Sequence, residues 1–296
     1  MPRFPIGVLA DSFRLSPREG VLAAKAVGAA GVQLYCVEGA MAPENLNAAA
    51  RRDFKAFMDG EGMAFSALCG DLGGHGFERP EEYPDKVKRT RAILDLACDW
   101  SCPVVTTHIG MVPDDTAGKP YNDMLEVCRG LGNDAEKRGA RFAIETGPEP
   151  AALLRRFLED ADSKGLAVNL DPANLIMAQN EDPVESVRLL APWIVHTHAK
   201  DGEHLADWPG GYKAVLASRR DGSFEEKAKR YGRPGREMAL GAGRVPWPAY
   251  LRALWNAGFR GYLTIEREVG DDPAADIRKA VGFLNAAMKE MGDPRP

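Results

Sequence analysis

Three carboxylates and an imidazole stand at the ends of four short apolar runs in the second half of the chain. Glu145 closes RFAIE, Asp171 closes AVNLD, His198 closes IVHTH and Glu266 closes YLTIE. Three acids and a histidine meeting at one point repel one another unless a cation lies between them. The pattern therefore points to a divalent metal ion held by Glu145, Asp171, His198 and Glu266. Oxygen-rich ligands with one imidazole suit Mn²⁺, Mg²⁺ or Co²⁺ better than a four-coordinate structural Zn²⁺. Mn²⁺ is the first expectation, with Mg²⁺, Co²⁺ or Zn²⁺ as alternatives. Four protein ligands on an octahedral ion leave positions open for substrate oxygens. Any one of these residues alone reads more readily as a loop residue, a cap or a structural histidine; recurrence over four runs carries the argument.

Other polar groups fall at the same rim. His108 ends VVTTH and shares its expected face with Thr106. Asn174 follows Asp171 by three residues, and Lys200 follows His198 by two. His75 lies in the glycine-rich segment 70–76. These four are the candidate contacts to substrate hydroxyls, with His108 also a candidate proton carrier and Lys200 alternatively a surface residue. Asp11, Tyr35 and Cys69 sit at further strand ends. His196 shares the face of His198 one pleat deeper, which suits an inner-layer residue better than a second imidazole ligand.

Such groups can converge only if the strands that carry them run parallel. Strand candidates recur eight times, at 6–11, 32–35, 64–69, 104–108, 141–145, 167–171, 194–198 and 262–266, with helical spacing between them. Alternation of this kind implies a parallel sheet, and eight units favour one closed (β/α)8 TIM barrel over a doubly wound sheet. Residues 1–296 read as a single domain, since no Pro/Gly/Ser linker divides them. Ala10-Asp11-Ser12-Phe13 after the first strand is not a phosphate loop. Ser16-Pro17-Arg18-Glu19 reads as a capping box. Ile277, Val281, Leu284 and Met288 mark the apolar stripe of the last helix. Gly28, Gly60, Gly139, Gly165 and Gly258 read as helix C-caps.

Period-two alternation assigns the faces. Phe142 and Ile144, Val168 and Leu170, and Leu263 and Ile265 suit the helix layer. Their alternates, including Glu145, Asn169, Asp171, Thr264 and Glu266, then face the barrel axis. After the seventh strand, residues 202–243 form an insertion carrying Trp208, Tyr212, Phe224 and Tyr231. Leaving the carboxyl end of a strand, it should rise beside the site as a lid or substrate wall; an oligomer contact or a surface ornament is the alternative. The basic stretch 219–236 is interrupted by acids and reads as a solvated loop.

The chain has 296 residues, 45% hydrophobic and 27% charged, with a net charge of −5. That balance is ordinary for a soluble protein and gives no general electrostatic reason to bind nucleic acid. No apolar run reaches the ~18 residues of a membrane span. The five cysteines, 36, 69, 98, 102 and 128, are an odd number with no secretory segment before them. A reducing cytoplasm is the simplest reading. Cys98 and Cys102 read as buried thiols on one helix. A homo-oligomer is compatible with such a barrel, and no subunit number is encoded.

FAIETG, NLDPANL, IVHTHAKD, LGAGRVPW and LTIERE resemble segments of the xylose-isomerase-like TIM-barrel superfamily, often described as sugar phosphate isomerases/epimerases. The order Glu, Asp, His, Glu is similar to the metal quartet of its ketose 3-epimerase branch. The resemblance implies that Glu145, Asp171, His198 and Glu266 are ligands and that Glu145 and Glu266 are the acid/base pair. It implies a sugar isomerase or epimerase that abstracts a proton from a small keto-sugar through a metal-stabilised enediolate. A metal-dependent lyase or dehydratase acting on a keto-sugar, keto-glycoside or keto-inositol shares that first step and is the alternative. A non-catalytic sugar-binding barrel is the alternative of another class. Asn174 departs from the family, whose epimerases often place histidine there. The superfamily's AP endonucleases carry a larger zinc-ligand set with histidine at that position, which together with the acidic charge sets DNA repair aside.

Overall fold

The computed structural model describes residues 4–73, 75–212, 215 and 224–291. The strands, in chain order, are β1 (Ile6–Leu9), β2 (Gly31–Tyr35), β3 (Ala64–Cys69), β4 (Val104–Thr107), β5 (Arg141–Glu145), β6 (Leu166–Leu170), β7 (Ile194–Ala199), β8 (Asp201–His204), β9 (Gly235–Met238) and β10 (Leu263–Ile265). All but β8 and β9 close into a parallel barrel in the order β1-β10-β7-β6-β5-β4-β3-β2. The expected TIM barrel is the fold found. Its helices are α1 (Pro17–Ala26), α2 (Ala48–Glu61), α3 (Tyr83–Asp99), α4 (Lys119–Lys137), α5 (Ala151–Ala161), α6 (Pro183–Leu190), then, beyond α7 (Phe224–Tyr231) of the insertion, α8 (Trp247–Asn256) and α9 (Pro273–Glu290).

The alternation in the strands sorts side chains into two layers. Phe142, Ile144, Val168, Leu170, Leu263 and Ile265 join the large core between sheet and helices, with the α9 stripe of Ile277, Val281, Leu284 and Met288 against it. Each such side chain contributes about 1.5–3 kcal/mol by leaving water. Ala67, Val104, Ala143 and Ala167 form a small apolar layer within the barrel. Small residues there leave room for a polar layer nearer the mouth.

Local expectations were met unevenly. Ser16 N and Oγ both donate to Glu19 Oε2, which fixes the start of α1. Gly28, Gly139 and Gly258 have φ of 90°, 72° and 85° after their helices, as C-caps require. Gly60 lies inside α2, and Gly62 at φ 66° closes that helix instead. Gly165 is not a cap: a Cβ there would stand 1.8 Å from the Gly132 carbonyl oxygen, so its role is close approach to α4. The first strand stops at Leu9 because Ala10–Phe13 turns into a 3₁₀ helix. Cys98 is exposed while Cys102, beyond the end of α3, is buried, so the two do not share a buried face. The described cysteines form no disulfide. No helix among the described residues is long and apolar enough to cross a membrane.

The insertion has structure of its own. β8 and β9 pair antiparallel, and α7 precedes β9. From residue 224 the basic stretch is therefore helix and strand rather than loop; residues 219–223 lie outside the described set. Trp208 is buried at the centre, stacked on Tyr212 and close to Phe224 and Tyr231, with its indole N–H donated to the Gly232 carbonyl at 2.8 Å. Buried Asp201 fixes the base. Its carboxylate accepts from the backbone N–H of Gly202, Gly241 and Val245 and from the Trp247 indole at 2.9–3.1 Å.

Candidate metal centre

Parallel pairing brings the ends of β5, β6, β7 and β10 side by side at the barrel mouth. Glu145 ends β5 and His198 lies one residue before the end of β7. Asp171 and Glu266 each fall one residue past the paired strand, where the chain turns outward. Asp171 Oδ1 caps the turn Pro172–Asn174 by accepting from Ala173 N and Asn174 N at 2.8 and 2.9 Å. That cap turns Oδ2 toward the barrel axis. One ligand atom from each of Glu145, Asp171, His198 and Glu266 lies within 4.8 Å of the others, and all four residues are buried.

His198 Nδ1 sits in the middle, 3.1 Å from Glu266 Oε2 and 3.4 Å from both Glu145 Oε1 and Asp171 Oδ2. Ligands at ~2.0–2.2 Å from one ion are roughly 3.0 Å apart in an octahedron and 3.4 Å in a tetrahedron, which brackets these spacings. His198 Nδ1 and Asp171 Oδ2 are buried with no hydrogen-bond partner among the described residues. Orphaned buried polar atoms are costly, and a cation between them satisfies both. The cluster is suited to hold a metal ion.

Around it these four side chains are oriented by a further layer of polar groups, of which Gln33 was not singled out in the sequence. His198 Nε2 donates to Gln33 Oε1 at 3.0 Å, which leaves Nδ1 facing the acids. Gln33 Nε2 in turn donates to Thr106 Oγ1. Asn169 Nδ2 donates to Glu145 Oε2 at 3.0 Å, and its Oδ1 accepts from His196 Nδ1 at 2.8 Å. His196 Nε2 then accepts from Thr264 Oγ1. His196 is thus one layer below the ligands, as expected, and burial together with nearby His198 pushes its pKa well down, keeping it neutral. The available signal was a lone polar residue inside a buried run, Gln33 in VQLY and Asn169 in AVNL.

Three of the four candidate substrate contacts adjoin the cluster. Asn174 Nδ2 donates to Glu145 Oε1 at 3.1 Å. His108 Nε2 is 3.6 Å from the same oxygen, and its Nδ1 is 2.9 Å from Asp71 Oδ2. Burial pushes the His108 pKa down, but Glu145 and Asp71 outweigh it and lift it to about 10. Lys200 is buried rather than at the surface, with Nζ 3.1 Å from Glu266 Oε2 and 2.8 Å from Glu268 Oε2. Burial raises the Glu266 pKa, yet His198 and Lys200 overcome it and hold the carboxyl well below its ordinary range. The Tyr35 phenol is kept protonated chiefly by burial, with the nearby carboxylates of Glu266 and Glu145 adding to the shift. His75 is set apart: it is half exposed and its ring faces Glu78 at 3.8 Å. Its loop leaves the barrel wall at Gly70 and carries the side chain outward.

Beside Glu145, whose Oε1 is met by Asn174 and His108, these two residues with Gly147 and Met177 line a cavity of about 310 Å³ that Tyr212, Phe224 and Pro234 also line. The insertion therefore contributes part of the wall of this cavity.

Residues 21–287 match the family described as xylose isomerase-like TIM barrel. The chain belongs to that family. Among solved structures it is similar to a xylose isomerase domain protein from Planctomyces limnophilus, at 28% identity and TM-score 0.78, covering 99% of each chain. A D-tagatose 3-epimerase-like protein is 15% identical with TM-score 0.71, covering 98% of each. The probable 3-DHS dehydratase AsbF of Bacillus anthracis is 17% identical with TM-score 0.67, covering 99% of this chain and 100% of that one. The last two likenesses are of fold. No curated protein sequence matches the chain. The family and its structural neighbours are mostly enzymes.

Proposed function

We propose that this family member is a divalent-cation-dependent isomerase or epimerase of a small keto-sugar, with Mn²⁺ as the preferred ion. The observation that carries the reading is the convergence of four buried ligand atoms, two of them without a hydrogen-bond partner among the described residues, next to a cavity of sugar size that reaches Glu145 through His108 and Asn174. A divalent cation held by Glu145, Asp171, His198 and Glu266 would polarise a substrate carbonyl and the hydroxyl on the adjacent carbon, and so would acidify the hydrogen on that hydroxyl-bearing carbon. The barrel order β10-β7-β6-β5 puts Glu266 and Glu145 at the two ends of the ligand arc. Two carboxylates so placed suit removal of a proton from one face of that carbon and its return to the other. Glu266 is kept ionised by His198 and Lys200, which fits the base; Glu145, hydrogen-bonded by Asn169 and Asn174, is the partner. His108 offers a donor to sugar hydroxyls and Asn174 its Oδ1 acceptor, since the Asn174 Nδ2 is spent on Glu145 and the Thr146 carbonyl, while Tyr212 and Phe224 cover the cavity.

The test is incubation with keto-sugars in D₂O with Mn²⁺, followed by mass spectrometry of recovered sugar. Deuterium gained at carbon, abolished in Glu266→Gln with the ion still bound, is the expected result. A protein that is indifferent to chelator, or that exchanges no carbon-bound hydrogen, refutes the assignment.

A second reading, a metal-dependent lyase or dehydratase, is favoured by one observation. His108, braced by Asp71, opens on the cavity beside Glu145 and could protonate a departing oxygen. The same incubation separates the two, since elimination yields a product lighter by one leaving group.

A further inference from the structure

We infer that the substrate has two parts: a keto-sugar seated over the ligand cluster, and a neutral, apolar substituent of about aromatic-ring size in an adjoining outer compartment. The inference rests on the proposed function and goes further by naming the substrate class.

A small sugar is accommodated by the inner cavity of about 310 Å³ alone. A second cavity, of about 500 Å³, lies beside it. Together they fall in the range of pockets that take drug-sized molecules, ~300–1,000 Å³. The two are parts of one trough, because the same loops line both in succession. After β4, His108 faces the inner cavity and Met111 and Pro113 the outer; after β5, Pro148 is inner and Pro150 outer; after β6, Ala178 is inner and Gln179 outer. Tyr212 of the insertion lines both. Gln179 Nε2 donates to the Pro148 carbonyl across the junction, which ties two of these loops together there.

The chemistry changes along the trough. Its inner end offers His108 and Asn174 to hydroxyls. Its outer end is walled by Met111, Pro113, Pro120, Met124 and Pro150. Methionine adapts to irregular apolar shapes, and Tyr212 offers a ring for stacking. Among the described lining residues neither cavity has a Lys or Arg, and Glu78 and Asp114 edge the outer one. An anionic substituent such as a phosphate is therefore disfavoured there, and a neutral ring is favoured.

The experiment compares 3-keto-glucose with its phenyl glycoside on the full chain with Mn²⁺, counting turnover as deuterium gained at carbon plus phenol released, because loss of the C2 proton leaves the phenoxy group on C1 free to depart. In parallel, saturation-transfer NMR follows phenyl glucoside on metal-stripped protein. Burying the ring should raise kcat/KM for the phenyl compound about tenfold over the free keto-sugar. Met111→Asp, and separately Pro113→Asp, should bring that ratio close to one. The ring should receive saturation from metal-stripped wild type and lose it in either variant. Equal rates for the two sugars, or no transfer to the ring, overturns the two-part substrate and leaves the proton-transfer reading intact. Transfer that depends on Met111, with no exchange on either sugar, upholds the compartment and sinks the catalytic reading alone.

Discussion

His198 Nδ1 and Asp171 Oδ2 lie 3.4 Å apart in the barrel mouth, both buried and neither hydrogen-bonded to any described group. The other oxygen of Asp171 is fully engaged in capping the turn that follows. The two oxygens of one carboxylate thus have separate duties. Asp171→Asn keeps an oxygen for the cap but replaces a charged ligand by an amide. Thermal unfolding of the metal-free variant should stay within about 1 kcal/mol of wild type, while calorimetric Mn²⁺ affinity falls by more than the ~100-fold typical of removing an outer hydrogen-bond partner. Equal affinity in the two proteins would remove Asp171 from the ligand set.

Gln33 is a positioning residue, fixed between His198 Nε2 and Thr106 Oγ1. Gln33→Leu has nearly the same volume and leaves His198 without its acceptor. Mn²⁺ affinity should drop by about 10–100-fold with the circular dichroism spectrum unchanged. Gln33→Glu should restore part of the loss, because a carboxylate also accepts from Nε2; no recovery would argue that Gln33 acts only by packing.

The convergence of the four candidate ligands was legible for a specific reason. Each of Glu145, Asp171 and Glu266 ends a run whose apolar residues occupy the opposite face, so period-two geometry alone aimed them inward. Gln33 and Asp71 carried no such mark: one polar residue in VQLY suits any strand, and Asp71 stands in a glycine-rich loop that has no period. His75 shares that loop, and only the backbone path, not the residue type, decides that it turns outward. Gly60 and Gly165 were misread because a glycine before a strand signals either a left-handed cap or close packing. Gly62 and the contact of Gly165 with Gly132 decide between them. The insertion's charges suggested a loop, whereas its fold follows from Trp208 gathering aromatic neighbours distant in sequence.

Asp160 on α5 gives an acid-dependent contribution remote from the site. Its carboxylate accepts from Arg156 Nε at 2.7 Å and from the Tyr121 hydroxyl of α4 at 2.8 Å. Arg156 chiefly, with Tyr121, holds its pKa below 3.8 against the effect of burial. A carboxyl depressed in the folded state stabilises above its unfolded pKa and loses that effect as pH falls through the lower, folded value. Urea midpoints should therefore decline less steeply below pH ~4 in Asp160→Asn than in wild type. Parallel acid limbs in the two proteins would contradict this.

Asp201 offers the sharpest test of the insertion's base. Asp201→Ala strands three backbone N–H groups and the Trp247 indole N–H in a buried place. A loss of about 3 kcal/mol or more is expected from unpaired buried donors, seen as a lower urea midpoint. Limited proteolysis should cut first within 202–243. A variant as stable and as resistant as wild type would show that the hairpin is anchored elsewhere.

The chain of donors from Thr264 through His196 and Asn169 ends on Glu145 Oε2, and Asn174 occupies Oε1. Because each link fixes the ring or amide orientation of the next, the rotamer of Glu145 is settled from beneath before anything enters from above. Little reorganisation is then owed when the mouth is loaded, and electrostatic preorganisation of this kind is a major source of rate enhancement. The barrel floor is in this sense the jig on which the candidate ligands at the rim are set.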